Sequence, residues 1–212
     1  MIDFDSQARA WDSNPVFHQR ADAIAAAIQA AIPLSPHMHA LDYGCGTGLL
    51  SFPLRDKLGH ITLKDNSAGM LEVLREKIAA QCVGNMTVVQ ADLASEGVSL
   101  SPGPSPQGER FDLIYTSMVL HHIPDTAAIL ATFNHLLNPG GWLCVADLDQ
   151  EDGSFHGVEV DVHHGFARET LQSLAEAAGH ADVRFTTVFE IAKETAAGTR
   201  AFPVFLMVAR KP

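Results

Sequence analysis

Three sets of side chains in this sequence could do chemistry. The first is Asp42-Tyr43-Gly44-Cys45-Gly46-Thr47-Gly48, with glycine at alternate positions. Glycines let the backbone bend sharply, adopt φ > 0 and admit a ligand close to the main chain. A helix opening behind such a turn presents unpaired N–H groups toward whatever the loop holds. Asp42 at its mouth would repel an anion and welcome a cationic group. The second is Asp65, 23 residues after Asp42, near the roughly 20-residue offset at which a carboxylate accepts ribose hydroxyl protons. The third is a series of histidines at 121, 122, 156, 163 and 164. An imidazole of ordinary pKa near 6.5 is a natural general base for a hydroxyl or amine.

The elements that must position these groups are legible as apolar runs and breakers. Residues 40–43 read as a buried strand, 48–57 as the helix after the glycine turn, and His60–Asp65 as a second strand. Met86–Gln90 and Phe111–Ser117 read as strands three and four, and a fifth follows the Leu-Asn-Pro-Gly-Gly turn at 137–141. A helix over 167–178 is stopped by Gly179, and strands over 182–191 and 202–209 form a closing hairpin. Ahead of all this, Phe4, Ala8 and Trp11 share one face of a short helix. An alanine-rich helix over 15–32 then ends at Pro33 and Pro36. Residues 95–110 hold four Ser, three Pro and three Gly and read as an inserted, mobile surface loop.

At 212 residues the chain suits a single domain, 1–212, with a sizeable core. Hydrophobic residues make up 47% and charged residues 18%, a globular balance. The net charge of −11 argues against a polynucleotide backbone as partner. Three widely spaced cysteines with no C-x-x-C pair fit a reducing compartment. Asp3 and Asp5 replace the basic region of a signal peptide, and no apolar run approaches the length of a membrane span. The expectation is a cytoplasmic domain, monomer or homodimer, with neither nucleic acid nor membrane as partner.

The glycine stretch resembles motif I of the class I S-adenosylmethionine (SAM) methyltransferases. A dinucleotide fingerprint would place a third glycine where Leu49 stands. Further matches follow: Asp65-Asn-Ser-Ala-Gly-Met70-Leu resembles the family's D-x-S-x-x-M-L run, and Ala91-Asp92-Leu93 its adenine-amine acceptor position. The run from Phe111-Asp112 to Leu120-His121-His122 and the L-x-P-G-G turn are also family-like. The resemblance is strong over roughly 38–147 and looser at the flanks. It implies an α/β fold: a three-layer α/β/α sandwich whose seven-stranded, mostly parallel sheet ends in an antiparallel strand. It implies S-adenosylmethionine as cofactor, with Asp42, Gly44, Cys45, Gly46, Gly48, Asp65, Asn66, Met70, Asp92, Leu93 and Thr116 around it. Cys45 is expected to fill space rather than act as a nucleophile. Residues 1–36 would supply a lid and helix over the pocket.

The expected activity is methyl transfer to an O, N or S nucleophile of a small-molecule acceptor, with His121, His156 and His164 as candidate bases. The N-P-P-Y and P-C pairs that the family uses on nucleobases are absent. Rival readings are a non-catalytic SAM-fold binding protein, a protein methyltransferase and, less well supported, an NAD(P)-binding oxidoreductase. His156, His163, Asp149, Asp152 and Asp161 are numerous enough for a metal site, but the H-x-x-x-H and H-E-x-x-H spacings are missing. No metal is expected.

Overall fold

A computed structural model describes residues 3–91, 109–156, 161–195 and 198–212. The elements are α1 (Phe4–Trp11), α2 (Pro15–Ala31), β1 (His39–Tyr43), α3 (Ser51–Leu54), β2 (His60–Asp65), α4 (Ala68–Ala80) and β3 (Met86–Gln90), followed by β4 (Phe111–Ser117), α5 (Thr126–Leu136), β5 (Leu137–Leu148), α6 (Arg168–Ala177), β6 (Ala181–Thr195) and β7 (Gly198–Arg210). The seven strands lie in the order β3-β2-β1-β4-β5-β7-β6, with β7 antiparallel to both its neighbours. This is the expected three-layer fold. The 95–110 loop lies almost wholly outside the described residues. Among the described residues no helix is long and apolar enough to cross a membrane.

The strands alternate between two cores, apart from the register shift between Phe111 and Leu113. Ala40, Leu113, Tyr115, Cys144, Ala146, Leu206 and Val208 face a cluster completed by α2, α3 and α4. Leu41, Ile114, Leu143, Val145, Phe205 and Met207 face a second cluster completed by α5 and α6. Successive side chains of a strand point to opposite faces, so a run apolar at every position must be covered on both sides. Ile24 and Ile28 of α2 are fully buried, each contributing about 1.5–3 kcal/mol by burial.

Several boundaries differ from the sequence expectation. The helix after the glycine turn is only Ser51–Leu54 and then tightens into a 3-10 turn at Arg55–Lys57. Pro53 is tolerated in its first turn, where its missing N–H is not needed. The last two strands run to Thr195 and from Gly198, because β6 and β7 pair from Ala181↔Arg210 to Thr195↔Gly198.

The strand order places the site. The chain leaves β1 for β2 and β3 on one side, then returns to lay β4 on the other side of β1. Crevices outside the carboxyl ends of the strands at such a reversal are where open α/β sheets bind ligands.

Candidate active site

The glycine loop follows directly from β1. Gly44, Gly46 and Gly48 all have positive φ, at 71°, 52° and 83°. A Cβ on Gly44 would lie 2.4 Å from the Val119 side chain, and one on Gly48 2.6 Å from Leu74 Cδ1. A Cβ on Gly46 would meet nothing within 4 Å. The outer two glycines are demanded by packing; the middle one faces open space, where a ligand can approach the backbone. The Gly46 N–H donates to Asp65 Oδ2 at 2.7 Å, and the Ser67 N–H donates to Oδ1 at 2.9 Å. Asp65 therefore holds the loop to the end of β2. A carboxylate has about four lone-pair sites, so each oxygen retains capacity for a hydroxyl. Burial raises the Asp65 pKa against those hydrogen bonds.

The other expected cofactor residues are placed as follows. Asp42 is fully buried and accepts from Ser51 Oγ at 2.6 Å; Ser51 Oγ lies 2.5 Å from the Tyr115 hydroxyl. Burial pushes the Asp42 carboxyl up to about 7, and its carboxylate is engaged by α3. Burial, with Asp42 and Asp65 nearby, raises the Cys45 thiol well above its ordinary value, so it is neutral. Thr116 Oγ donates to the Tyr43 carbonyl at 2.7 Å, locking β4 to β1 at the reversal point. Met70 is buried in the first turn of α4, capped by Ser67 Oγ at 3.2 Å, whereas Asn66 is exposed. Asp92 and Leu93 lie outside the described residues.

Helix α1 is fastened across this loop. Asp5 accepts from Ser67 Oγ at 2.5 Å and the Gly69 N–H at 2.8 Å. Asp12 accepts from Thr47 Oγ and from Lys77 Nζ, both at 2.5 Å; Lys77 also donates to the Thr47 carbonyl at 2.8 Å. Arg9 meets Glu72 and Glu76 on the exposed side. The aromatic face of α1 points the other way. Phe4 stands edge-on to His122 at 5.7 Å and Trp11 packs on Phe17 at 4.5 Å.

Across the crevice, β4 and β5 bring together two residues far apart in sequence. His121 Nδ1 lies 2.7 Å from Asp147 Oδ1, and the His121 N–H donates to Oδ2 at 3.1 Å. Both side chains are buried, at 2% and 0% exposure. An ionised carboxylate only accepts, so Nδ1 carries the proton and Nε2 keeps its lone pair. The His122 ring lies 4.1 Å from that of His121, and the His156 ring lies 5.5 Å from it. Burial lowers His122 to about 4 and lowers His156 as well, so both are neutral near pH 7. Among the described residues, His156 Nε2 and Glu151 Oε1 are buried with no hydrogen-bond partner, a cost that a bound polar ligand would offset.

Of the candidate bases, His121 and His156 are brought together and His164 is not. His164 is exposed, its ring lying against Gly153. His163 donates its N–H to the His121 carbonyl at 2.8 Å and its Nε2–H to the Ile123 carbonyl at 3.0 Å, which shapes the loop. Asp149 is held by Arg168 at 2.6 and 2.7 Å, and Asp152 by Arg200 at 2.5 Å. Among the described residues no group of three could hold a metal ion. Sequence reasoning passed over the roles of Asp147, Ser51, Tyr115 and Arg20. A carboxylate on the last turn of an apolar strand was the available signal for Asp147.

The residues present suit S-adenosylmethionine: open space at Gly46, spare acceptors on Asp65, and a buried methionine at the start of α4. Comparison with known proteins agrees. A family model described as a methyltransferase domain matches residues 16–187. The chain is 32% identical over 158 residues to the trans-aconitate 2-methyltransferase of Deinococcus radiodurans, covering 72% of this chain and 55% of that protein. It is 34% identical over 130 residues to a ubiquinone biosynthesis O-methyltransferase of Xylella fastidiosa, covering 60% and 48%. The chain thus spans about half the length of the curated relatives it matches. Among solved structures, a Haloferax volcanii methyltransferase in complex with the Trm112 methyltransferase activator superposes with a TM-score of 0.76 at 18% identity, covering 100% and 99% of the two chains. Phosphoethanolamine N-methyltransferase 2 of Haemonchus contortus, in complex with S-adenosyl-L-methionine, gives 0.68 at 15% identity, covering 90% and 52%. Those two likenesses show the fold, and the family model shows the family. The chain belongs to the class I S-adenosylmethionine-dependent methyltransferases.

Proposed function

We propose that the protein methylates a small-molecule acceptor at an O, N or S atom, with His121 as general base and Asp147 as the residue that orients it. When bound, S-adenosylmethionine supplies a methyl group on a sulfonium, already a good leaving group. What remains for the chain is to hold donor and nucleophile in line, exclude water and take up a proton. The Gly46 backbone and Asp65 are assigned to the cofactor, with Met70 packing on its adenine and Asp92 as the amine acceptor. Helix α1, with Phe4 and Trp11 over the crevice, is assigned to water exclusion. Two relatives support a small acceptor, being named for an O-methyltransferase of ubiquinone biosynthesis and a methyltransferase of trans-aconitate.

The observation that carries this reading is the buried His121–Asp147 contact of 2.7 Å, beside the glycine loop at the carboxyl end of the sheet. Asp147 fixes the tautomer that leaves Nε2 free to accept a proton. The test is S-adenosylhomocysteine release across a panel of hydroxy, amino and thiol compounds, with His121→Ala alongside. The variant is expected to lose about 10²–10⁴-fold in turnover while binding S-adenosylhomocysteine as the parent does. An active His121→Ala enzyme would overturn the role of His121. Cofactor binding without turnover on any acceptor would favour the non-catalytic reading.

A further inference from the structure

Among the described residues, Arg20 has no carboxylate in contact with its guanidinium. It lies on α2, partly buried, and among the described residues it makes no hydrogen bond and no ion pair; its Cζ sits 5.1 Å from the Phe17 ring centroid. Other arginines are used differently. Arg168 and Arg200 each hold a carboxylate, and Arg184 and Arg210 each reach a carbonyl oxygen. A guanidinium withdrawn from water is costly unless an anion compensates it.

The position of Arg20 says where that anion belongs. Phe17 packs on Trp11 at 4.5 Å, Trp11 on Phe4 at 6.0 Å, and Phe4 on His122 at 5.7 Å. One aromatic wall thus runs from Arg20 to the histidine cluster. Arg20 also feels the charge of Asp147. Asp147 is not a contact partner: among the described residues it makes no hydrogen bond or ion pair with Arg20, and its oxygens accept from His121 Nδ1, the His121 N–H and the Leu148 N–H. Burial lowers the Arg20 pKa to about 10, which leaves it protonated at neutral pH. His122 and His156 are neutral there; Lys193, a second cation that acts on His156, lies near Glu151 and donates to the Phe155 carbonyl, whereas the Arg20 guanidinium meets no acceptor among the described residues.

The geometry points to a carboxylate-bearing methyl acceptor, its carboxylate held by the Arg20 guanidinium while its nucleophile faces His121. The planar fork of a guanidinium matches a carboxylate through two parallel hydrogen bonds. This assignment rests on the reading of the site as a SAM-dependent methyltransferase and names the class of its substrate.

The test is a thermal melt of protein saturated with S-adenosylhomocysteine, with malate and succinate as probes. Malamide and succinamide serve as uncharged matches, sulfate as a control anion, and the proteins are the parent, Arg20→Gln and Arg20→Lys. The carboxylates are expected to raise the parent melting temperature; the amides and sulfate are not. Arg20→Gln should bind the carboxylates about thirtyfold more weakly or worse, keep its full response to S-adenosylhomocysteine, and melt no lower than the parent when empty. Arg20→Lys should retain part of the response. Equal shifts from amides or sulfate, no carboxylate shift, or undiminished carboxylate binding by Arg20→Gln would overturn the proposal. So would a marked loss of unliganded stability in Arg20→Gln, which would make the guanidinium a structural group. No response of the parent to S-adenosylhomocysteine would instead overturn the methyltransferase reading beneath it.

Discussion

The two sides of the crevice are built on opposite terms. On the glycine-loop side, polar groups satisfy one another: Asp42 with Ser51 and Tyr115, Asp65 with Gly46 and Ser67, Asp12 with Thr47 and Lys77. On the histidine side, polar atoms are left wanting: among the described residues His156 Nε2 and Glu151 Oε1 are buried without hydrogen-bond partners, and the Arg20 guanidinium contacts no carboxylate. A site for a fixed cofactor can be completed in advance by the fold. A site for an acceptor must keep hydrogen-bonding capacity in reserve, because unmade bonds in the free protein are what make the right ligand bind selectively.

The sharpest way to break this division is Asp147→Asn. It keeps the shape of the side chain but removes the charge that holds the proton on His121 Nδ1. Turnover is expected to fall about 10²-fold or more, with S-adenosylhomocysteine affinity unchanged; a parallel fall in affinity would mean the two sides are not separable. The mirror experiment is Gly44→Ala, on the completed side. The new Cβ would stand 2.4 Å from Val119 Cγ2 at φ 71°. The expected cost is about 2–5 kcal/mol in denaturant melts, from left-handed backbone strain and overpacking together. Pairing it with Val119→Ala should restore the packing part and not the strain, and full restoration would refute the backbone argument.

The two sides should also titrate in opposite senses. Burial raises the folded pKa of Asp42 from 3.8 to about 7, so the folded state binds more protons than the unfolded one between those values. Its contribution is present at low pH and lost as pH rises through about 7. Burial lowers the folded pKa of His122 from 6.5 to about 4, so its contribution is present above 6.5 and lost as pH falls toward 4. Urea melts of Asp42→Asn and His122→Gln against pH should therefore diverge from the parent in opposite directions, with Asp42→Asn gaining relative stability as pH rises. A pH-independent offset in either variant would contradict the assignment. The smallest effects concern α1. Asp12→Ala is expected to cost about 1.5–3 kcal/mol through a charged hydrogen bond, whereas Arg9→Ala, whose ion pairs are exposed, should leave the melting curve unmoved.

How much of this was legible in the sequence follows the range of the interactions. β2, β3 and β4 were placed to the residue, because a short apolar run between breakers is a local signal. The helix over 48–57 was overcalled, since four residues and a 3-10 turn satisfy Leu50 and Leu54 in the core as well as a full helix would. The start of β5 was missed for a similar reason. Leu137 pairs with Phe111 ahead of a register shift, and Gly140 at φ 78° carries the chain through the Pro-Gly-Gly turn. The site divides the same way. Gly44 to Gly48 and Asp65 announce themselves by spacing, since one short loop and one strand end carry them. The His121–Asp147 contact spans 26 residues and exists only because β4 pairs with β5 in the register that sets Ser117 against Ala146. Arg20 gave no local signal, because its setting depends on contacts between α2 and the aromatic side chains of α1.

The claim that the glycine-loop side is finished in advance for S-adenosylmethionine is tested most directly by a thermal melt with S-adenosylhomocysteine and with NAD. The proteins are the parent and Asp65→Ala. At 100 times its Kd, S-adenosylhomocysteine is expected to stabilise the parent by about 2.7 kcal/mol. That shift should shrink in Asp65→Ala, and NAD should leave both proteins unmoved. A shift with NAD and none with S-adenosylhomocysteine would contradict the cofactor assignment, and an undiminished shift in Asp65→Ala would contradict the role given to that carboxylate.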